Sequence, residues 1–229
     1  MSTAIRPTSL DHVALWVADR GELAALLCEH FGMHEVTRGE DFTLVGVDAK
    51  LGKVTLFDAE GPREPGLLNG IALRVGDLDA ALAALPAGLR VSRAGGAASI
   101  EAPQGVRLAL VEVAGRDYDL DHVALRVPDP QRTAAGLAEL GFERVDGSLA
   151  VADRSLRLEA GDASDGGRPL LNHLALLVDS AATVQAEAER LGIEVLQVKD
   201  AENTLAVFVR GPDELVVEYV EHKPGFALV

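Results

Sequence analysis

Apolar residues in this chain alternate with small or polar ones in a phrase that recurs four times, at Leu10–Val17, Leu68–Val75, Leu120–Val127 and Leu171–Val178. A period of two is the signature of a strand with unlike faces. In the third copy Val123, Leu125 and Val127 point one way, and His122, Ala124 and Arg126 the other. Aligned on the histidine position the copies start at His12, Gly70, His122 and His173, which by subtraction are 58, 52 and 51 residues apart. Repeats of that length imply stacked or paired supersecondary modules.

Each phrase is followed by an aspartate, an alanine-rich stretch of helical period and a glycine: Asp19 to Gly32, Asp77 to Gly88, Asp129 to Gly141 and Asp179 to Gly192. The aspartate suits a helix N-cap, Pro130 suits a first helical turn, and the glycine suits the left-handed residue that ends a helix. Three short alternating runs then follow. In the last copy they are Ile193–Lys199, Thr204–Val209 and Leu215–Val220; in the third they are Phe142–Val145, Leu149–Val151 and Leu156–Glu159, with a hairpin signal at Asp146-Gly147.

Each unit is therefore strand, helix, strand, strand, strand. One such βαβββ unit is too small to bury its own sheet face, so the units must pair. The expected fold is α+β, with four modules paired in chain order into two cupped half-barrel domains, residues 1–115 and 116–229. The joint is expected at Gly115–Asp119, with lesser seams at Glu60–Gly66 and Asp162–Pro169.

Composition narrows the function classes. A formal charge of −15 opposes phosphate backbones and anionic headgroups, which argues against nucleic-acid or membrane partners. Neither a membrane span nor a secretory leader is visible in the sequence, so a cytoplasmic location is expected. The single cysteine, Cys28, falls in an apolar helical pattern and is given no role. His30, His34 and His222 are read as surface groups. The Gly95-Gly96 and Gly166-Gly167 pairs are read as turns, because no strand-to-helix context follows them.

The chemistry lies on the second face of the opening strands, where a small alanine beside each histidine leaves room. The closing strands end in Asp58, Glu112, Glu159 and Glu218, and Glu112 is aligned opposite Glu218. A carboxylate inside the apolar run around Glu218 is costly to bury unless paired or bound to a cation. His122, His173 and Glu218 thus form the expected metal set, suited to Fe(II) first, with Zn, Ni, Co or Mn as alternatives. The first half offers His12, Gly70, Glu112 and Asp58, and reads as a worn copy whose emptied cup Trp16 could fill.

With these residues in place the chain resembles the vicinal oxygen chelate superfamily, which includes glyoxalase I, epimerases, resistance proteins and the type I extradiol dioxygenases. The resemblance rests on the His-Val-Ala-Leu-x-Val openings, the Asp-capped helices and the closing segment Arg210–Glu218. It implies a metal held by first and last strands inside a cup, and, with four modules in one chain, an organisation closest to the extradiol dioxygenases. In a glyoxalase-like site Glu159 would serve as fourth ligand or base. Two features depart from the dioxygenase pattern: no histidine lies between His122 and His173, and Phe208 stands where a tyrosine is usual. Arg126 and Phe208 are candidate contacts for a small-molecule substrate. Three activities remain open at this point: a ring-cleaving dioxygenase, a Lewis-acid lyase or isomerase, and a non-catalytic binder. A homodimer is compatible with the pattern.

Overall fold

The computed structural model describes residues 4–50, 52–115, 117–145, 147–162 and 167–226. The four modules form as the periodicity predicts. The first has β1 (Ser9–Val17), α1 (Arg20–His30), β2 (His34–Arg38), β3 (Phe42–Gly46) and β4 (Lys53–Asp58). The second has β5 (Leu68–Val75), α2 (Leu78–Ala83), β6 (Arg90–Ala94), β7 (Ala97–Glu101) and β8 (Arg107–Glu112). The third has β9 (Leu120–Val127), α3 (Pro130–Glu139), β10 (Glu143–Val145), β11 (Ser148–Val151) and β12 (Arg154–Ala160). The fourth has β13 (Leu171–Leu177), α4 (Ala181–Leu191), β14 (Val195–Asp200), β15 (Thr204–Arg210) and β16 (Val216–His222).

The punctuation also holds, with two exceptions: α2 stops at Ala83 with Ala84 as its C-cap, four residues short of the expected Gly88, and the N-cap of α4 differs. Asp19, Asp77 and Asp129 accept hydrogen bonds from backbone N–H groups two or three residues on, but α4 is capped by Ser180, whose hydroxyl accepts from the Thr183 N–H, rather than by Asp179. Serine and aspartate satisfy the same orphan donors, so adjacent candidates compete and sequence cannot rank them. Gly192 ends α4 at φ 72°, which suits a residue without Cβ. Asp146, Arg116, Gly166 and the rest of 163–166 lie outside the described residues.

The modules do not pair in chain order. One eight-stranded sheet runs β14-β15-β16-β13-β1-β4-β3-β2 and joins modules one and four; the other runs β10-β11-β12-β9-β5-β8-β7-β6 and joins two and three. The expected division at 115/116 therefore does not separate two cups. The apolar residues of both sheets form one continuous cluster, from Val13 and Leu56 to Ile71, Val123 and Leu174.

The crossovers are consistent with this pairing. Chain segments leading from module one to two and from three to four run side by side, with Glu64 N–H donating to the Arg168 carbonyl (3.1 Å) and Leu170 N–H to the Glu64 carbonyl (2.7 Å). With the neighbouring modules two and three joined through β5 and β9, the equivalent edges of β1 and β13 are left for each other. A buried ion pair pins the sheets together. Arg154 meets both oxygens of Asp119 at 3.0 and 2.8 Å and also donates to Ser9 Oγ, while Asp119 accepts the Gly52 N–H.

Candidate metal centre

The antiparallel junction of β1 and β13 sets His12 beside Ala175 and Ala14 beside His173. Glu218, on β16, is in turn the register partner of Ala175. The two alanines keep the strand floor low, so the three longer side chains meet above it. His173 Nε2 lies 2.8 Å and His12 Nε2 3.3 Å from Glu218 Oε2, and the two Nε2 atoms are 3.2 Å apart. All three residues are buried or nearly so.

This donor set fits a divalent ion. His12 Nδ1 lies 2.8 Å from Asp11 Oδ2 and His173 Nδ1 lies 2.9 Å from Asn172 Oδ1, so each Nδ1 carries the proton and each Nε2 of a neutral ring presents a lone pair. Two lone pairs and a carboxylate oxygen then face one another inside the sheet, a mutually repulsive arrangement that a cation relieves. Three mutually perpendicular bonds of about 2.1 Å would separate their donor atoms by about 3.0 Å, close to the spacings observed.

Without a cation a proton does part of that work. Burial opposes a charge on His12, but hydrogen bonds to Asp11 and Glu218 outweigh it and lift the imidazole to about 9. Burial likewise works against the Glu218 carboxylate, yet the two imidazoles hold it down at about 2. His173 is pushed below its ordinary value by burial, despite its contact with Glu218. Asp11 is itself buried but kept well below the usual carboxylate range by His12, His222 and Lys53, whose ammonium sits 2.8 Å away.

The donors open into a cavity of about 210 Å³. Its walls carry Phe42, Phe57, Phe208 and Phe226, with Lys199 and His222. The Phe208 and His173 ring centres are 5.2 Å apart, and His222 stacks on Phe226 at 3.8 Å. Thr55 occupies a telling place: it pairs with Ala14 as Glu218 pairs with Ala175, so it stands where a fourth, symmetry-related donor would stand.

The expected set is thus corrected in one member. His173 and Glu218 converge, but His12 replaces His122, which lies on β9 in the other sheet with Nδ1 2.7 Å from Asp121. Glu159, expected as base or fourth ligand, is exposed on β12 and accepts from Asn69 Nδ2 at 2.6 Å. Arg126 also belongs to the second sheet, whereas Phe208 does line the metal-centre cavity. The strand-end alignment was shifted as well. Glu112 pairs with Val75 and Asp58 with Val17, three places beyond the donor register, where Ala109 and Thr55 stand. Trp16 fills no emptied cup: it packs on Phe57 in the first sheet, beneath the Arg63 guanidinium.

His222 could have been found from the period of two, since it stands four residues after Glu218 on the same face of β16, but the strand was read as ending at Val220. Asp11 and Lys53 could have been noticed as a charged pair at the starts of β1 and β4, but only the parallel register shows that they meet.

Solved structures share this architecture across nearly the whole chain. A protein of Bacillus subtilis strain 168 that carries the provisional name dioxygenase superimposes with a TM-score of 0.78 at 17% identity, covering 98% of this chain and 88% of its own. Glyoxalase I from Zea mays gives 0.71 at 20% identity, covering 94% and 92%. The fold is glyoxalase-like. The cppA protein of Streptococcus pneumoniae TIGR4 has it too, with a TM-score of 0.62 at 15% identity and coverage of 94% and 98%. No family model matches the chain, and no curated protein matches its sequence. At these identities the likeness concerns fold alone. No helix among the described residues is long and apolar enough to cross a membrane.

Proposed function

We propose that the protein is a metal-dependent vicinal oxygen chelate enzyme, acting on a small substrate with two neighbouring oxygens, and specifically a ring-cleaving dioxygenase of catechol-like compounds. The observation that carries this reading is the pair formed by a three-donor set, His12, His173 and Glu218, and Thr55 in the fourth register place. Two histidines and one carboxylate on one face suit Fe(II), which when bound supplies open positions for substrate oxygens and O₂.

The chain's own residues serve that chemistry. Asp11 and Asn172 fix the tautomer and tilt of the two imidazoles. Phe42, Phe57 and Phe208 give the cavity apolar walls suited to a flat ring. His222, whose Nε2 lies 3.5 Å from Asp11 Oδ1, provides a cavity imidazole able to take up and return a substrate hydroxyl proton. The rival lyase or isomerase reading loses support, since the carboxylate it assigned to proton transfer, Glu159, belongs to the other sheet.

Anaerobic loading with Fe(II), followed by a catechol panel in air and scoring of yellow ring-opened products, tests the reading. Product formation that disappears in His173→Ala is the expected outcome. Stoichiometric iron without turnover across the panel would overturn the dioxygenase assignment, and failure to bind any divalent metal would leave the binder.

A further inference from the structure

A second cavity lies apart from the metal cup. It measures about 540 Å³ and opens at the end of the second sheet, where β5, β8 and β9 meet the loop before β6. Its apolar lining includes Leu68, Leu89, Val106 and Leu170, and its polar edge includes Asn69, Arg107 and Arg126.

The two arginines converge on one acceptor. Arg107 Nη1 donates to Asn69 Oδ1 at 2.7 Å and Arg126 Nη2 donates to the same oxygen at 2.9 Å. A neutral amide oxygen shared by two guanidinium groups leaves like charges close together, and among the described residues neither arginine has a carboxylate within ion-pair distance. Glu159 is nearby but is engaged by the amide nitrogen of Asn69. That is unusual in a chain with 36 acidic and 21 basic residues.

Gly161 makes room for the Arg126 side chain, and Gly70 lets the Arg107 backbone approach. A Cβ at Gly161 would lie 2.7 Å from Arg126 Cδ, and one at Gly70 would lie 3.3 Å from the Arg107 carbonyl and 3.8 Å from its Cγ. Gly70 stands at the repeat position that His173 holds in the metal cup.

We infer that this cavity is a second ligand site, which takes a small organic oxyanion, with a carboxylate or phosphate group between Arg107 and Arg126 and an apolar body against Leu68, Leu89 and Val106. Paired guanidinium forks match the planar oxygens of such a group, and 540 Å³ is ample for a ligand of one ring. Arg90, at the rim, is held by Glu101 and frames the entrance.

Calorimetric titration of the full chain with phenylacetate, phenyl phosphate and the neutral phenylacetamide tests this. Saturable binding of at least one anion, with the amide silent, is expected; the anion that binds identifies the head group. Arg107→Gln and Arg126→Gln should each weaken it about tenfold or more, whereas Glu218→Gln, which disables the metal cup, should leave it unchanged. Gly161→Val, which displaces Arg126 without removing it, should weaken binding in the same direction. Equal binding of the amide, no saturable anion binding, or arginine variants with unaltered affinity would each overturn the site. A loss confined to Glu218→Gln would instead place the ligand in the metal cup.

Discussion

The two sheets are built from the same four-module pattern, yet their cups carry opposite chemistry. Where the first has His12, His173, Glu218 and Thr55, the second has His122, Gly70, Ala109 and Arg157 at the corresponding register positions. One cup collects lone pairs and a carboxylate around a point. Its counterpart keeps a single imidazole, loses the acid, and places an arginine where Thr55 stands. A scaffold of this kind fixes where four side chains meet and leaves their charge free to diverge, so the difference lies in a few positions of the strands and not in the fold.

Removing a donor should have the largest effect. Glu218→Ala takes away the anionic ligand and leaves two imidazoles facing each other, so metal-dependent activity should fall by about 10³-fold or more, read from turnover and from metal content after dialysis. His122→Ala, the matching deletion in the second cup, should leave both quantities unchanged. Equal losses in the two variants would mean that the cups are not chemically distinct.

The supporting aspartates give the next contrast. Asp11→Asn weakens the hold on His12 Nδ1 and strands the buried Lys53 ammonium, so a 10–100-fold loss of metal affinity and roughly 3–5 kcal/mol of stability are expected. Asp121→Asn touches His122 and the Arg74 guanidinium, both outside the metal cup, and should not alter metal affinity. Metal titration and denaturant unfolding of both variants check this.

A pH series on chelator-treated protein sharpens the comparison further. His12, raised from 6.5 to about 9, contributes stability that is complete below pH 6.5 and lost as pH rises through 9. Glu218, lowered from 4.5 to about 2, contributes stability present above pH 4.5 and lost as pH falls towards 2. For these two groups the metal-free protein is most stable between about pH 4.5 and 6.5. Glu218→Gln should flatten both flanks, and an unaltered melting profile in that variant would contradict the coupling. Metal must displace the His12 proton, so affinity should rise with pH.

The smallest effect concerns stability alone. His122→Ala removes a buried imidazole hydrogen-bonded to Asp121, which should cost about 1–2 kcal/mol in a denaturant titration with no change in metal content.

Much of this molecule was legible along the chain. Alternation fixed the opening strands, aspartate and glycine marked most helix ends, and the face carrying histidine and alanine proved to be the cup face. His173 and Glu218 stood out because a carboxylate buried in an apolar strand demands a partner, and Phe208 lies in the wall of the cavity they face. These signals are local, since they depend on neighbours two to four residues away.

Which histidine completes the metal centre was not local. His12 and His122 sit in nearly identical phrases, Leu-Asp-His-Val-Ala-Leu, with the same aspartate bound to Nδ1, so no property of either strand distinguishes them. The choice follows from the pairing of β1 with β13 and of β5 with β9, in a chain whose two crossover segments run side by side. Equivalent strand edges are interchangeable to the sequence. Only the path of the folded chain decides which two of them share a cup.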